Sequence, residues 1–113
     1  MDKIVEILGE INGVDVSYIY KDEDEIRANK IKEYNKTNND IESSEYIKYS
    51  DCPRWKEYFN MNHVICGKID DFPKNERMLF KKRGLKSTCI VPIYTPLSFW
   101  GFVGMDSYIN NKE

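Results

Sequence analysis

The residues with the widest chemical range in this sequence are three cysteines, Cys52, Cys66 and Cys89, a single histidine, His63, and a run of aromatic side chains that begins at Trp55. An odd cysteine count with no CxxC pair indicates neither a disulfide framework nor a zinc site. Cys52 directly precedes Pro53, a residue suited to the first turn of a helix. A thiol at that position would meet the positive end of the helix dipole, which lowers its pKa; the ordinary alternative is a buried cysteine serving as a small apolar filler. His63 could ligate haem iron or act as a pH-sensitive switch, or it could be a plain surface or capping residue. No CxxCH haem-attachment motif accompanies it.

Trp55, Tyr58 and Phe59 recur at i, i+3 and i+4, which places them on one face of a helix. Such a ridge can wall a pocket, since pockets are mostly apolar with a few polar handles, or it can cap a sheet as core. The expected ligand-binding set is Trp55, Tyr58, Phe59, His63, Cys66, Phe72 and Tyr94, with Arg54 and Asp70 as further polar groups nearby. No catalytic or metal-ligating residue is expected. The phosphate-cradling and hydrolase templates, GxGxxG, the Walker loop, HExxH and GxSxG, are all missing. The acid pairs Asp22/Glu23 and Asp70/Asp71 fall in turns, where a carboxylate is ordinarily solvated.

Composition bounds the rest. The 113 residues carry a formal net charge of −2, 32% charged and 41% apolar side chains, which describes one globular domain spanning 1–113 with no basic field for nucleic acid. No apolar run reaches the roughly 18 residues of a membrane span, and the acidic MDKIVEILGE is no secretion signal, so a cytoplasmic location is expected.

The elements that must position these residues follow from periodicity. Ile4, Ile7, Leu8 and Ile11 recur at helical spacing before Gly13, giving an amphipathic helix over residues 2 to 12. VDVSYIY, Val14 to Tyr20, reads as a strand, and IRANKIKEYN, Ile26 to Asn35, as a more polar edge strand. The stretch from Lys36 to Asp51 holds no sustained period and many turn formers, so a loop or irregular cover is expected. CPRWKEYFNMN is a helix, HVICGKID a short strand, and DFPKNERMLFKKRG a helix opened near Pro73 and stopped at Gly84, its acids early and its bases late. STCIVPIY and FWGFVGMD form a hairpin across Thr95 to Ser98, apolar on both faces and therefore covered on both, with Gly101 and Gly104 allowing close approach of backbone or rings.

Pro53-Arg54-Trp55, Asp71-Phe72-Pro73 with Glu76, Gly84-Leu85-Lys86-Ser87 leading into Val91-Pro92-Ile93, and Trp100-Gly101-Phe102-Val103-Gly104 together resemble the later half of a GAF domain of the type found in multidomain sensory histidine kinases. The resemblance spans Pro53 to Asp106, with VDVSYIY a looser fit to the first strand. It implies an α+β sandwich: an antiparallel sheet of five to six strands in order 2-1-5-4-3, with helices on both faces. One face would enclose a small-molecule pocket and the other, covered by terminal helices, would make a homodimer. It also implies a sensory domain that is not itself catalytic, excised or trimmed from a signalling protein and covalently linked there to a kinase or other sensory modules. The ligand is unknown, with haem one option because some relatives in methanogens bind it. A GAF subfamily that reduces free methionine sulfoxide through cysteines supplies an enzymatic alternative, and a ligand-free dimerisation spacer a third. The Cys-His neighbours of bilin-attaching domains and the polar motif of cyclic-nucleotide binders do not occur here.

Overall fold

A computed structural model describes residues 14–35 and 45–108. The helix expected over residues 2 to 12, with the dimer contact assigned to it, lies outside the described residues. Within them the order is β1 (Val16–Asp22), β2 (Arg27–Asn35), β3 (Tyr46–Lys48), a 3-10 turn (Tyr49–Asp51), α1 (Arg54–Asn60), β4 (Ile65–Lys68), a second 3-10 turn (Ile69–Asp71), α2 (Lys74–Lys81), β5 (Leu85–Tyr94) and β6 (Phe99–Tyr108). All strands join one antiparallel sheet in the order β3-β2-β1-β6-β5-β4. None of the described helices is long and apolar enough to cross a membrane.

This is the α+β architecture expected, with a difference in detail from the order 2-1-5-4-3. A three-residue strand, β3, is added beside β2, which shifts the numbering of every later strand. Part of the segment expected to be loop, Lys36 to Asp51, is therefore strand and 3-10 turn. Tyr46, Ile47 and Lys48 pair with Asn29, Ala28 and Arg27, and three residues are too few to display a period of two. The same pairing means that the first third of β2 is not an edge.

The hairpin of β5 and β6 is joined by a turn in which Thr95 Oγ1 accepts hydrogen bonds from the backbone of Leu97 and Ser98. Its β6 strand sits between β5 and β1, so it is buried on both sides along the sheet. On one face Val16, Tyr18 and Tyr20 of β1, Ile90 of β5 and Phe102 of β6 form the main core with α1 and α2. On the other face Ile19 and Val103 are buried among Tyr34, Ile93 and Trp100. Alternation along each strand delivers successive residues to opposite faces, which is why the hairpin shows no polar side.

Gly104 is needed for the approach of an aromatic ring. A Cβ there would run into the ring of the buried Tyr18. Gly84 ends α2 in the left-handed region, φ 74°, as a glycine stop does.

Candidate functional site

Helix α1 lays its aromatic ridge on the sheet. The Phe59 ring stacks on Phe102 at 5.3 Å and on Phe99 at 5.4 Å, while Trp55 meets Phe102 edge-on at 5.8 Å and stacks with Phe80 of α2 at 6.0 Å. Trp55 is also fixed by its polar edge. Its Nε1–H donates to Glu76 Oε1 at 2.9 Å, and Arg54 donates to the same carboxylate through Nε at 2.7 Å and Nη2 at 3.1 Å. The Glu76 side chain is 1% exposed, and the hydrogen bond to Glu76 raises the pKa of Arg54. One buried carboxylate thus ties the start of α1 to α2, using the Pro-Arg-Trp and Glu76 positions that stood out in the sequence.

Between β1, β3, the first 3-10 turn and α2 lies a cavity of about 270 Å³. Tyr20, Trp55 and Phe80 give it an aromatic floor, Leu79 stands at its side, and Lys48, Arg83 and Asp51 bring charge. Arg83 reaches from this cavity into the sheet, where its Nη2 donates to Asp106 Oδ2 at 3.3 Å. Its Nε is buried and has no partner among the described residues. Asp106, fully buried on β6, also accepts hydrogen bonds from Thr88 Oγ1 at 2.6 Å and Tyr18 Oη at 2.9 Å. Burial lifts the Asp106 carboxyl above the usual carboxylate range against the pull of Thr88, Arg83 and Tyr18.

The seven expected site residues do not converge on this cavity. Trp55 lines it; Phe59 and Phe72 are buried in the main core. Tyr58 and His63 meet each other outside it, ring centroids 6.0 Å apart, with the Arg54 guanidinium 5.0 Å above the Tyr58 ring. Tyr94 is partly exposed and its hydroxyl donates to the backbone carbonyl of Phe59. Cys66 is bonded to Cys89, directly opposite it across β4 and β5. That bridge corrects the reading of the cysteines as unpaired, and it lies on the sheet face away from α1 and α2.

Cys52, the third cysteine, is buried on the helix side. Burial, with Glu76 and Asp51 nearby, pushes its thiol up to about 12, the reverse of the depression considered from its place before Pro53. The three thiols therefore form no common set. The cavity residues that sequence reasoning missed had weak signals: Leu79 lies on α2, Arg83 in the turn that follows it, and β3 carries no pattern at all.

The sheet order and the helices on one face are those of the GAF fold, and solved structures bear this out. The phycocyanobilin-bound GAF domain of a cyanobacterial phytochrome superposes with a TM-score of 0.81 at 17% identity, over 97% of this chain and 69% of that one. The chromophore-binding domain of Stigmatella aurantiaca bacteriophytochrome gives 0.80 at 15%, over 95% and 44%. The blue-light-absorbing PixJ GAF domain of Thermosynechococcus elongatus gives 0.78 at 12%, over 95% and 66%. The chain has the GAF fold.

In sequence, the chain is 26% identical to the methanogenesis regulatory histidine kinase FilI of Methanothrix harundinacea, an alignment covering 91% of this chain and 12% of that protein. No family model matches.

Proposed function

We propose that this chain is a sensory domain of a larger signalling protein with a histidine kinase output, and that its cavity takes up a small planar ligand bearing an anionic group. The observation that carries the ligand class is Arg83, a cation that lines the aromatic-floored cavity. A guanidinium at a partly enclosed site makes its strongest hydrogen bonds to an anionic acceptor. Lys48 adds a second cation, and Tyr20, Trp55 and Phe80 offer ring faces for a flat molecule. Similarity to FilI over 12% of that protein supports the kinase context.

The bilins named for the solved relatives are larger than the ligand proposed for this cavity. A cavity of about 270 Å³ is below the roughly 300–1,000 Å³ that encloses drug-sized ligands, and the space beneath α1 is filled by Trp55, Phe59 and Phe102. His63 stands outside the cavity, so the reading includes no haem ligation by it.

Arg83 also supplies a route for the signal. It touches both the cavity and Asp106 of β6, so a ligand that recruits its guanidinium changes the pairing of a buried carboxylate on the sheet's central strand. A signal results if the ligand binds the two arrangements with different affinity.

Calorimetric titration with benzoate and with neutral benzamide tests the ligand class. Benzoate should bind and benzamide should bind more weakly, and Lys48→Met, a change at an exposed residue, should narrow the difference. Equal binding of both probes by wild type, or binding of neither, would sink the reading.

A further inference from the structure

We infer that Cys66 and Cys89 are a reversible thiol–disulfide site, located on the sheet face opposite the cavity and acting on the edge strand β4. The inference is independent of the ligand reading, because none of the cavity-lining residues is involved. Register carries it first. Cys66 and Cys89 are direct partners of the β4–β5 pairing, with Cα atoms 4.0 Å apart and an Sγ–Sγ bond between them. Their strand neighbours Ile65, Thr88 and Ile90 are buried on the helix side, so alternation turns both sulfurs to the other face.

Access comes second. Cys66 is exposed and Cys89 half-buried, and both line an open groove with Lys68, Ser87 and Met105. Thiol–disulfide exchange requires that an attacking thiolate reach one sulfur, and Cys66 is the more exposed residue of the two. Lys68, two residues along β4 and also lining the groove, is the cation beside which a Cys66 thiolate would form. Cys52 takes no part, being buried beneath the opposite face.

The co-reactant is a dithiol, either a small molecule or a dithiol oxidoreductase. One of its thiolates attacks Cys66 Sγ, the Sγ–Sγ bond breaks, and the electron pair leaves on Cys89 Sγ, which takes up a proton. The second thiol of the reductant then displaces Cys66 from the mixed disulfide. This chain gains two electrons and two protons as two thiols, and the reductant departs as its own disulfide.

The consequence falls on a thinly held element. β4 has four residues, three of them exposed, and pairs with β5 alone. Only Ile65 within it and Ile69 just beyond are buried anchors. The bridge also closes the segment that contains α2. Reduction should therefore loosen β4 and the second 3-10 turn while the β1–β6–β5 centre of the sheet stays paired.

The test equilibrates the folded chain in buffers of reduced and oxidised dithiothreitol, quenches with acid, and counts thiols by alkylation in urea and mass spectrometry. The expected counts are one thiol in oxidising buffer, which is Cys52, and three in reducing buffer, interconverting without loss of the folded circular dichroism spectrum. Hydrogen exchange should quicken by roughly tenfold or more over 65–71 on reduction, with the central strands unchanged. Cys66→Ser should show the fast pattern in both buffers; should that variant not fold, reduced wild type supplies the same comparison. Three thiols in every buffer, a bridge that is reduced only on global unfolding, or exchange that does not respond over 65–71 would each overturn the inference.

Discussion

Replacing Arg54 with alanine should destabilise the fold more than replacing Glu76 with glutamine, although both remove the same ion pair. The asymmetry comes from exposure, the Glu76 side chain being 1% exposed and that of Arg54 28%. Without Arg54, an ionised carboxylate stays in the core with the Trp55 Nε1–H as its one remaining donor in the cluster. Stranding a buried charge in this way costs about 3–5 kcal/mol, and partial water entry through the space Arg54 vacates favours the lower end, about 3 kcal/mol. Glu76→Gln keeps the shape and an acceptor for Trp55 and strands no buried charge. The guanidinium keeps its partial hydration and the faces of Tyr58 and Phe72. That loss is about 1–2 kcal/mol, the scale of a hydrogen bond to a charged group. In urea, with a slope of about 2 kcal/mol/M, the two variants should shift the midpoint by about 1.5 M and 0.5–1 M. Unfolding followed by tryptophan fluorescence and circular dichroism measures both. Equal shifts, or a larger one for Glu76→Gln, would refute the assignment of Glu76 as a buried anion whose charge Arg54 compensates.

Gly104→Ala should cost about 1–3 kcal/mol or prevent folding, because the added Cβ meets the Tyr18 ring, which is buried and hydrogen-bonded to Asp106; a urea midpoint within 0.2 M of wild type, near the resolution of such curves, would contradict that contact. Asp106 should give stability an unusual pH slope. Its native pKa is raised by burial, so its contribution is complete below the ordinary carboxylate value of about 3.9 and is lost as pH rises through the native value. Asp106→Asn, followed by urea midpoints from pH 4 to pH 7, should therefore gain on wild type as pH rises; a constant difference would show that the group titrates normally.

The elements announced by period were legible in the sequence: the Trp55-Tyr58-Phe59 ridge as a helix laid on the sheet, the Gly84 stop, and the long hairpin, whose apolar residues on both parities signalled cover on both faces. Strand order was reached through resemblance, since no local pattern says which strands lie side by side. The bridge between Cys66 and Cys89 was illegible for that same reason. It depends on the register of two strands separated by a helix, and cysteine counting carries no register. Glu76 was noticed as an early acid suited to a helix dipole, whereas its main partners, Arg54 and Trp55, come from another helix. The cavity was hidden because β3 is too short to show a period, because Arg83 read as one of the late bases of a helix, and because Lys48 lay in a stretch read as loop.

The position of β6 bears on how the chain acquires its shape during synthesis. Val16 at the beginning of β1 lies opposite Asp106 near the end of β6, so the middle of the sheet joins the first described strand to the last. Until β6 leaves the ribosome, β1 can pair only with β2, and the rings of Trp55 and Phe59 lack the Phe102 floor on which they pack. Pairing across so long a stretch of chain is slow, since loop-closure entropy is spent before the contact rewards it. Among the described residues, α1, α2 and strands β1 to β4 keep apolar surface uncovered until the β5–β6 hairpin arrives to close the sheet, and surface exposed in this way is prone to aggregate.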